Sequence, residues 1–460
     1  MLETVTRVPH RQGGVETNGA RSPRSWLVWF TLFHLACQLL LLVPALANVR
    51  LVLRVAAFGV SLVFLLIIPS KHTWRTPLRT CAFGITVLLL LEFFHPEGSG
   101  LLGALAAIML NLAVLAPIFW VPRADATAAS LQALVTILWL FYAFSAVLGV
   151  LQAYFPGSLQ PPLAAVLAAN SRDLLAGLEI ELASGERVFR PMGLTDRPGG
   201  AAFAGLYAVL LGIGVLLSPT RPFKGAGPVA VLSMVAGMMC LYLCQVRSLV
   251  VMTGVCVLTL LALLLIGGRL SKLVGLIGAV GAIVPGAFAL AVAIGGNSMI
   301  GRLTTLVDAA PGTVYYTNRG RFLEKTLNYF LPLYPLGAGL GRWGMVHAYF
   351  GNVTDALWVE IQWTGWLFDG GLPMIFLYLA AILIASWGCL KIALGRVGAS
   401  EPSLSLWASV IVAYNVGALA TCFNFPLFGS TGGVEFWLLN MTVLAAAHHA
   451  ERGALRSKFA

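Results

Sequence analysis

Apolar runs long enough to cross a bilayer follow one another along most of this chain. Spanning the hydrocarbon takes about 20 predominantly apolar residues. Runs of that order occupy 26–47, 51–69, 79–95, 101–120, 131–154, 201–218, 229–245, 248–266, 273–294, 372–391, 404–424 and 433–449. The expected fold is all-α: a polytopic transmembrane helical bundle of about twelve spans. Composition excludes a soluble domain. Hydrophobic residues make up 59% of the chain and charged residues 10%, against about 25% charged in an ordinary soluble domain, and the mean hydropathy is +0.88.

The few charges report orientation. The net charge is +11, but many basic residues sit in short segments between apolar runs, a pattern that speaks for topology and against nucleic acid as a partner. A basic stretch (Arg7, Arg11, Arg21, Arg24) precedes the first run, which is too long for the core of a cleaved signal peptide, so the first span is expected to stay as an anchor. With residues 1–25 cytoplasmic, every inward-facing connection carries Lys or Arg: Lys71, Arg75 and Arg79; Arg123; Arg221 and Lys224; Arg269 and Lys272; Lys391 and Arg396; and the tail 450–460 with Arg452, Arg456 and Lys458. Both termini are then inside. The seven cysteines all fall in apolar runs, where they read as small packing residues; Cys240 and Cys244 share a helix face, but no His or carboxylate joins them as a metal ligand.

The same alternation divides the chain into helices 1–5 (26–154), a first external loop (155–200), helices 6–9 (201–294), a second external loop (295–371) and helices 10–12 (372–449). Both loops exceed what a helix connection requires, and long connections carry function or are disordered. Aromatics, Gly/Pro turns and stretches such as YFLPLYPLGAGLG argue for order. No repeat of 20 to 50 residues and no low-complexity tract is present.

The external segments run against the positive-inside pattern. They hold Arg172, Arg187, Arg190, Arg197, Arg302, Arg319, Arg321, Lys325 and Arg342, with Arg247 at a short external turn. Only one of these is Lys, and Arg is the residue for planar, two-pronged recognition of phosphate or carboxylate. Snorkelling to lipid headgroups is the competing role. Three contexts resist it. RVFRPMGLTDRPGG (187–200) is a Gly/Pro-punctuated turn that delivers Arg190 and Arg197 beside the start of a span. CQVRSLVV (244–251) puts Arg247 inside a nearly continuous apolar stretch, where a charge costs a few kcal/mol, about 2.5–3.5 at a span's centre, unless it faces a cavity or an anion. TNRGRFLEKTLNYFLPLYPLGAGLGRWG (317–344) places Arg319 and Arg321 before a turn in which Gly337, Gly339 and Gly341 form a G-x-G-x-G pattern. No strand precedes those glycines, so close backbone approach to a ligand or a helix is expected rather than a dinucleotide fingerprint.

An external R-P-x-G-x-x-x-x-P-G turn, a Q-x-R-S at a later helix junction, and a large loop with G-R, P-L-G-x-G-x-G and a G-x-L-x-x-x-G-x-P helix start occur in that order over roughly 130–380. In this the chain resembles the O-antigen ligase and polymerase superfamily. These are integral-membrane glycosyltransferases with a GT-C-like helical fold, acting on undecaprenyl-diphosphate-linked glycans at the outer face of the bacterial inner membrane. The resemblance implies that Arg190 and Arg247 hold the donor diphosphate, with Arg197, Arg319 and Arg321 on the same group or on the acceptor glycan. It implies no cofactor and no metal, because fixed guanidinium groups in a partly dry site can stabilise a leaving diphosphate. The implied partners are the undecaprenyl-diphosphate-linked glycan donor, a glycan acceptor, the lipid bilayer and a chain-length regulator protein.

Ligase-like members carry a late histidine as the proposed base. Here His347 stands close to the glycine turn, and Asp355 and Glu360 follow it, so these three are the base candidates. A plain surface position is the competing reading of His347. Asp173, Glu179, Glu181, Glu186 and Asp196 crowd the first loop, to hydrogen-bond sugar hydroxyls or, for most of them, to keep the loop soluble, and Glu92 faces either the bundle interior or the external rim beside Glu97. Trp343, Trp358, Trp363 and Trp366 serve either as sugar platforms or as interfacial anchors. Within the superfamily the displaced histidine and short tail favour a polysaccharide polymerase over an O-antigen ligase. A lipid-linked glycan transporter or flippase is the rival of another class, and it would place charges at the midplane.

Overall fold

The computed structural model describes residues 23–69, 76–161, 163, 178–182, 184–304, 310–351, 356–395 and 401–459. Arg7, Arg11, Arg21, Lys71, Arg75, Arg172, Asp173, Asp355 and Arg396, all singled out above, lie outside these residues. A helix occupies each apolar run: α1 Pro23–Leu40, α2 Arg50–Ile67, α3 Pro77–Glu92, α4 Gly100–Leu115, α5 Ala128–Tyr154, α6 Ala201–Leu217, α7 Ala226–Cys244, α8 Arg247–Ile266 and α9 Leu270–Thr304. After the short α10, Gly344–Phe350, come α11 Gln362–Ala393, α12 Pro402–Thr421 and α13 Thr431–Phe459. Eight helices among the described residues are long and apolar enough to cross a membrane, and Trp26–Leu40 and Ala201–Leu217 are shorter apolar helices. The protein is an all-α, multi-pass helical membrane protein.

Local chemistry sets the helix ends. Pro77 opens α3 behind a Thr76 cap, whose Oγ1 accepts the Arg79 N–H at 3.4 Å. Thr127 and Ser130 form a reciprocal capping box at the start of α5. Helices α6 and α7 touch at Gly205 and Gly237, where a Cβ on either would stand 2.7 Å from the other's carbonyl oxygen; two bare backbones make that crossing. Basic residues at the opposite end of the bundle bind helix carbonyls. Arg123 donates to the Leu65 carbonyl at 3.0 Å, and Arg269 donates to Ala393 O at 3.2 Å and to Ser405 Oγ.

The long segments are structured where described. In the first, β1 (Glu179–Glu181) pairs antiparallel with β2 (Arg187–Phe189) in the register Ile180 opposite Val188, a small hairpin that the all-helical expectation did not contain. In the second, a helical stretch over 311–333 includes two π-helical turns, and the helix read as starting at 372 starts instead at Gln362. Helix α11 breaks at Gly370 and Gly371, ahead of Pro373. The opened backbone is satisfied by the glycine-rich turn: Leu372 N donates to Pro335 O and Ala338 N donates to Phe368 O, each at 2.9 Å. Gly339 and Gly341 take positive φ and press on Gly98 and Gly103, where an added Cβ would meet backbone atoms at 2.7 and 2.6 Å. The close approach expected of the G-x-G-x-G pattern is therefore to the turn before α4 and to α4 itself.

Candidate functional site

A cavity of about 450 Å3 lies where the segment 190–200 meets α2, α5 and α13. The segment is clamped to α5 by two side chains. Fully buried Gln152 accepts the Met192 and Gly193 N–H groups at 2.8 Å each, and its amide donates to Gly193 O at 3.1 Å. Ser145 Oγ accepts the Leu194 N–H at 3.0 Å. Gly193 (φ +62) is required there, since a Cβ would stand 2.5 Å from Ser145 Oγ. The R-P-x-G turn is thus a rigid mount for Arg190 and Arg197 rather than a free loop.

Arg190, Arg197 and Arg319 line this cavity, so arginines from both long segments converge as the sequence pattern suggests. Arg247 and Arg321 are not in the lining: Val246 and Leu249 take the wall beside Arg247, and Arg321 is exposed. A fourth lining arginine, Arg54 of α2, went unnoticed in the sequence. It forms a buried ion pair with Asp196, making Asp196 a structural partner rather than a solubilising charge. The visible sign was a lone charge inside an apolar run, which by itself costs enough to demand a reason.

The arginines surround a neutral atom. Arg197 Nη2 lies 2.6 Å and Arg54 Nη1 3.8 Å from the Met345 sulfur, a weak acceptor. The buried Arg54 Nε has no hydrogen-bond partner among the described residues. Burial and the adjacent Arg54 both push the Arg197 guanidinium below its ordinary value, with Asp196 and Tyr349 opposing. Four arginines and two carboxylates, Asp196 and Glu435, line the cavity, so positive charge is in excess. Donors aimed at a thioether under a positive excess make a cradle that an anion fits better than the sulfur does. The remaining walls include Leu41, Phe58, Phe141, Phe203 and Phe425, which suit an apolar chain.

The base candidates stand elsewhere. His347 is half-buried in α10 with Nδ1 3.3 Å from Gly341 O, and the cavity lining takes Met345 from that helix instead. Glu360 forms an ion pair with Arg319 and accepts from Trp358 Nε1 at 2.9 Å. Burial lowers the Arg319 pKa, with Tyr315 opposing. Arg187 lies on the outer hairpin, 3.8 Å from Glu181. Glu92 is buried beside Gly337, and Glu97 pairs with Arg342 at 2.8 Å. The tryptophans are likewise away from the main cavity. Trp366 stacks on Tyr378 in the core, Trp343 donates to Asp369 at 2.8 Å, Trp363 packs on Phe423, and Trp358 is exposed. The Cys240 and Cys244 thiols donate to the Ala201 and Pro191 carbonyls, helping to seat the arginine segment.

At the cavity's inner wall, Glu435 of α13 accepts a hydrogen bond from Tyr142 of α5. Tyr142 stacks on Tyr207 with ring centroids 4.5 Å apart, and Tyr207 donates to the Tyr414 hydroxyl at 2.8 Å. Neither Glu435 nor Tyr142 was singled out from sequence. No protein-family model matches the chain, and no curated protein matches it.

Proposed function

We propose that the protein is a membrane glycosyltransferase that polymerises undecaprenyl-diphosphate-linked oligosaccharide units into a surface polysaccharide by metal-independent, inverting transfer. The observation that supports this reading is the convergence of Arg54, Arg190, Arg197 and Arg319 on one cavity whose other walls are largely apolar. An amphipathic ligand with a diphosphate head and an isoprenoid tail matches both halves of that lining. The motif order of the sequence points the same way. In this reading the bundle has twelve spans and a GT-C-like arrangement, sits in the bacterial inner membrane with both termini cytoplasmic, and carries its two long segments on the outer face.

The reaction follows from the charges. A sugar hydroxyl of the acceptor attacks the anomeric carbon of the donor glycan, the bond from that carbon to the diphosphate oxygen breaks, and the electron pair leaves with the diphosphate. Guanidinium groups already in place stabilise the negative charge that develops, without reorganising at the moment of reaction. Arg190 and Arg197 are best placed for this, because Gln152 and Ser145 fix their segment.

The test is purified protein in lipid with lipid-linked oligosaccharide from the native cells, read by mass spectrometry for glycan length and released undecaprenyl diphosphate. A ladder of longer lipid-linked glycans is expected. Release only after an acceptor such as lipid A-core is added would make the protein an O-antigen ligase. Absence of turnover with authenticated native substrate would refute glycosyl transfer and favour a transporter.

A further inference from the structure

The proposed transfer needs a group to take the acceptor's proton, and no residue picked out as a base from sequence is seen at the cavity. His347 and Glu360 are outside its lining, Asp355 lies outside the described residues, and the lining carboxylate Asp196 is engaged by Arg54. The other lining carboxylate is Glu435, which is 1% exposed. An ionisable group buried within a bundle is costly and is a functional candidate by default. Beside it in the lining is Tyr142, which is 8% exposed and donates its hydroxyl hydrogen to Glu435 Oε1.

Resting on the glycosyl-transfer reading, we infer that Tyr142 and Glu435 form the proton-accepting dyad of this site. Tyr142 Oη accepts the proton of the attacking sugar hydroxyl as its own proton passes to the Glu435 carboxylate. The new bond joins the acceptor oxygen to the anomeric carbon, and the electron pair of the broken bond departs on the diphosphate. At the end of the step Tyr142 is again neutral and Glu435 holds the proton.

The placement fits the geometry of inversion. Tyr142 and Ser145 are three residues apart on α5 and so share a face. Ser145 receives the Leu194 N–H of the segment carrying Arg190 and Arg197. The dyad therefore lies about one helical turn, about 5 Å, from the mount of those arginines. It reaches the cavity from α5 and α13, whereas the arginines reach it from the long segments and α2. An inverting displacement needs its base and its leaving-group clamp on opposite faces of the anomeric carbon, and here different elements supply the two. Tyr207 and Tyr414 continue the hydroxyl chain behind the dyad.

The experiment compares wild type, Tyr142→Phe and Glu435→Gln in lipid nanodiscs, measuring undecaprenyl diphosphate binding and transfer from native lipid-linked oligosaccharide. Phe keeps the stack on Tyr207 and Gln keeps the volume of Glu while removing a cavity carboxylate, so donor binding should match wild type in Tyr142→Phe and be no weaker in Glu435→Gln. Transfer should fall by about 10²–10⁴-fold in each, the range of a lost general base, with the loss in kcat and not in donor KM. Glu435→Asp should recover part of the rate. Transfer within a few-fold of wild type in either Tyr142→Phe or Glu435→Gln would overturn the dyad while leaving the arginine cradle standing. Parallel loss of undecaprenyl diphosphate binding would also overturn it, by making the pair structural. A wild-type protein that binds no undecaprenyl diphosphate and turns nothing over would refute glycosyl transfer itself, and the dyad with it.

Discussion

Replacing Asp196 by Asn should make the empty protein less stable and the diphosphate-bound protein tighter. Asp196 is 4% exposed and its carboxylate faces Arg54, whose side chain is 11% exposed. Breaking a buried pair by truncation costs about 3–5 kcal/mol, largely because one charge is left uncompensated. Asn keeps an acceptor for the guanidinium, so the expected loss is smaller, about 2–3 kcal/mol. The same change removes a negative charge from a cavity that the proposal fills with phosphate. At an effective dielectric near 20, unit charges about 7 Å apart interact by about 2 kcal/mol, which corresponds to affinity tightened by about tenfold to thirtyfold. Because a ligand stabilises the folded state by RT ln(1 + [L]/Kd), undecaprenyl diphosphate well above Kd should return about 1–2 kcal/mol more to Asp196→Asn than to wild type at the same concentration. Thermal unfolding in nanodiscs, with and without undecaprenyl diphosphate, reads both effects. Equal ligand-induced stabilisation of the two proteins would refute the cradle, and an unchanged apo stability would refute the energetic account of the Arg54 pair.

Three further outcomes are expected. Arg190→Ala and Arg197→Ala should each lower transfer by about 10²–10³-fold, with Lys restoring only part because it lacks the planar fork, whereas Arg187→Ala on the exposed hairpin should stay within a few-fold; the native-substrate assay decides. Gln152→Ala strands the Met192 and Gly193 N–H groups, so it should cost about 2–4 kcal/mol and weaken undecaprenyl diphosphate binding together with stability in nanodisc melts. Gly339→Ala forces a Cβ to within 2.7 Å of Gly98 N at φ +85, and size-exclusion chromatography should show loss of the monodisperse folded fraction, while Gly278→Ala, in open space, should behave as wild type.

Helix positions were legible because hydropathy reads burial in lipid directly, and each apolar run does hold a helix. The R-P-x-G turn was legible because Gly193 and Gly199 need left-handed backbone and the arginines beside them have no apolar reason to be there. What stayed hidden was direction. Arg54, Gln152 and Glu435 sit inside apolar runs, and at the low amphipathicity of a membrane helix the pattern does not say which face turns inward. Arg247 begins α8, and beside it the cavity wall is formed by Val246 and Leu249, a one-residue difference that apolar surroundings do not reveal. Which residue of the short α10 meets the cavity was equally hidden: the helix turns Met345 to it and leaves His347 beside Gly341.

The broken helix α11 anchors the second long segment, which supplies Arg319 and Met345 to the cavity lining. Its unpaired backbone groups at the head of the span are bonded to 335–338, so the second long segment is bolted to the bundle by two main-chain bonds. Lifting it would strand peptide groups beside hydrocarbon, at several kcal/mol each. Helix α2, which supplies Arg54, Ala57 and Phe58 to the lining, is held in turn by the Arg54–Asp196 pair and by Arg123 at the Leu65 carbonyl. On the proposed function, an isoprenoid donor would therefore have to enter the cavity without displacing residues 335–338 from the head of α11.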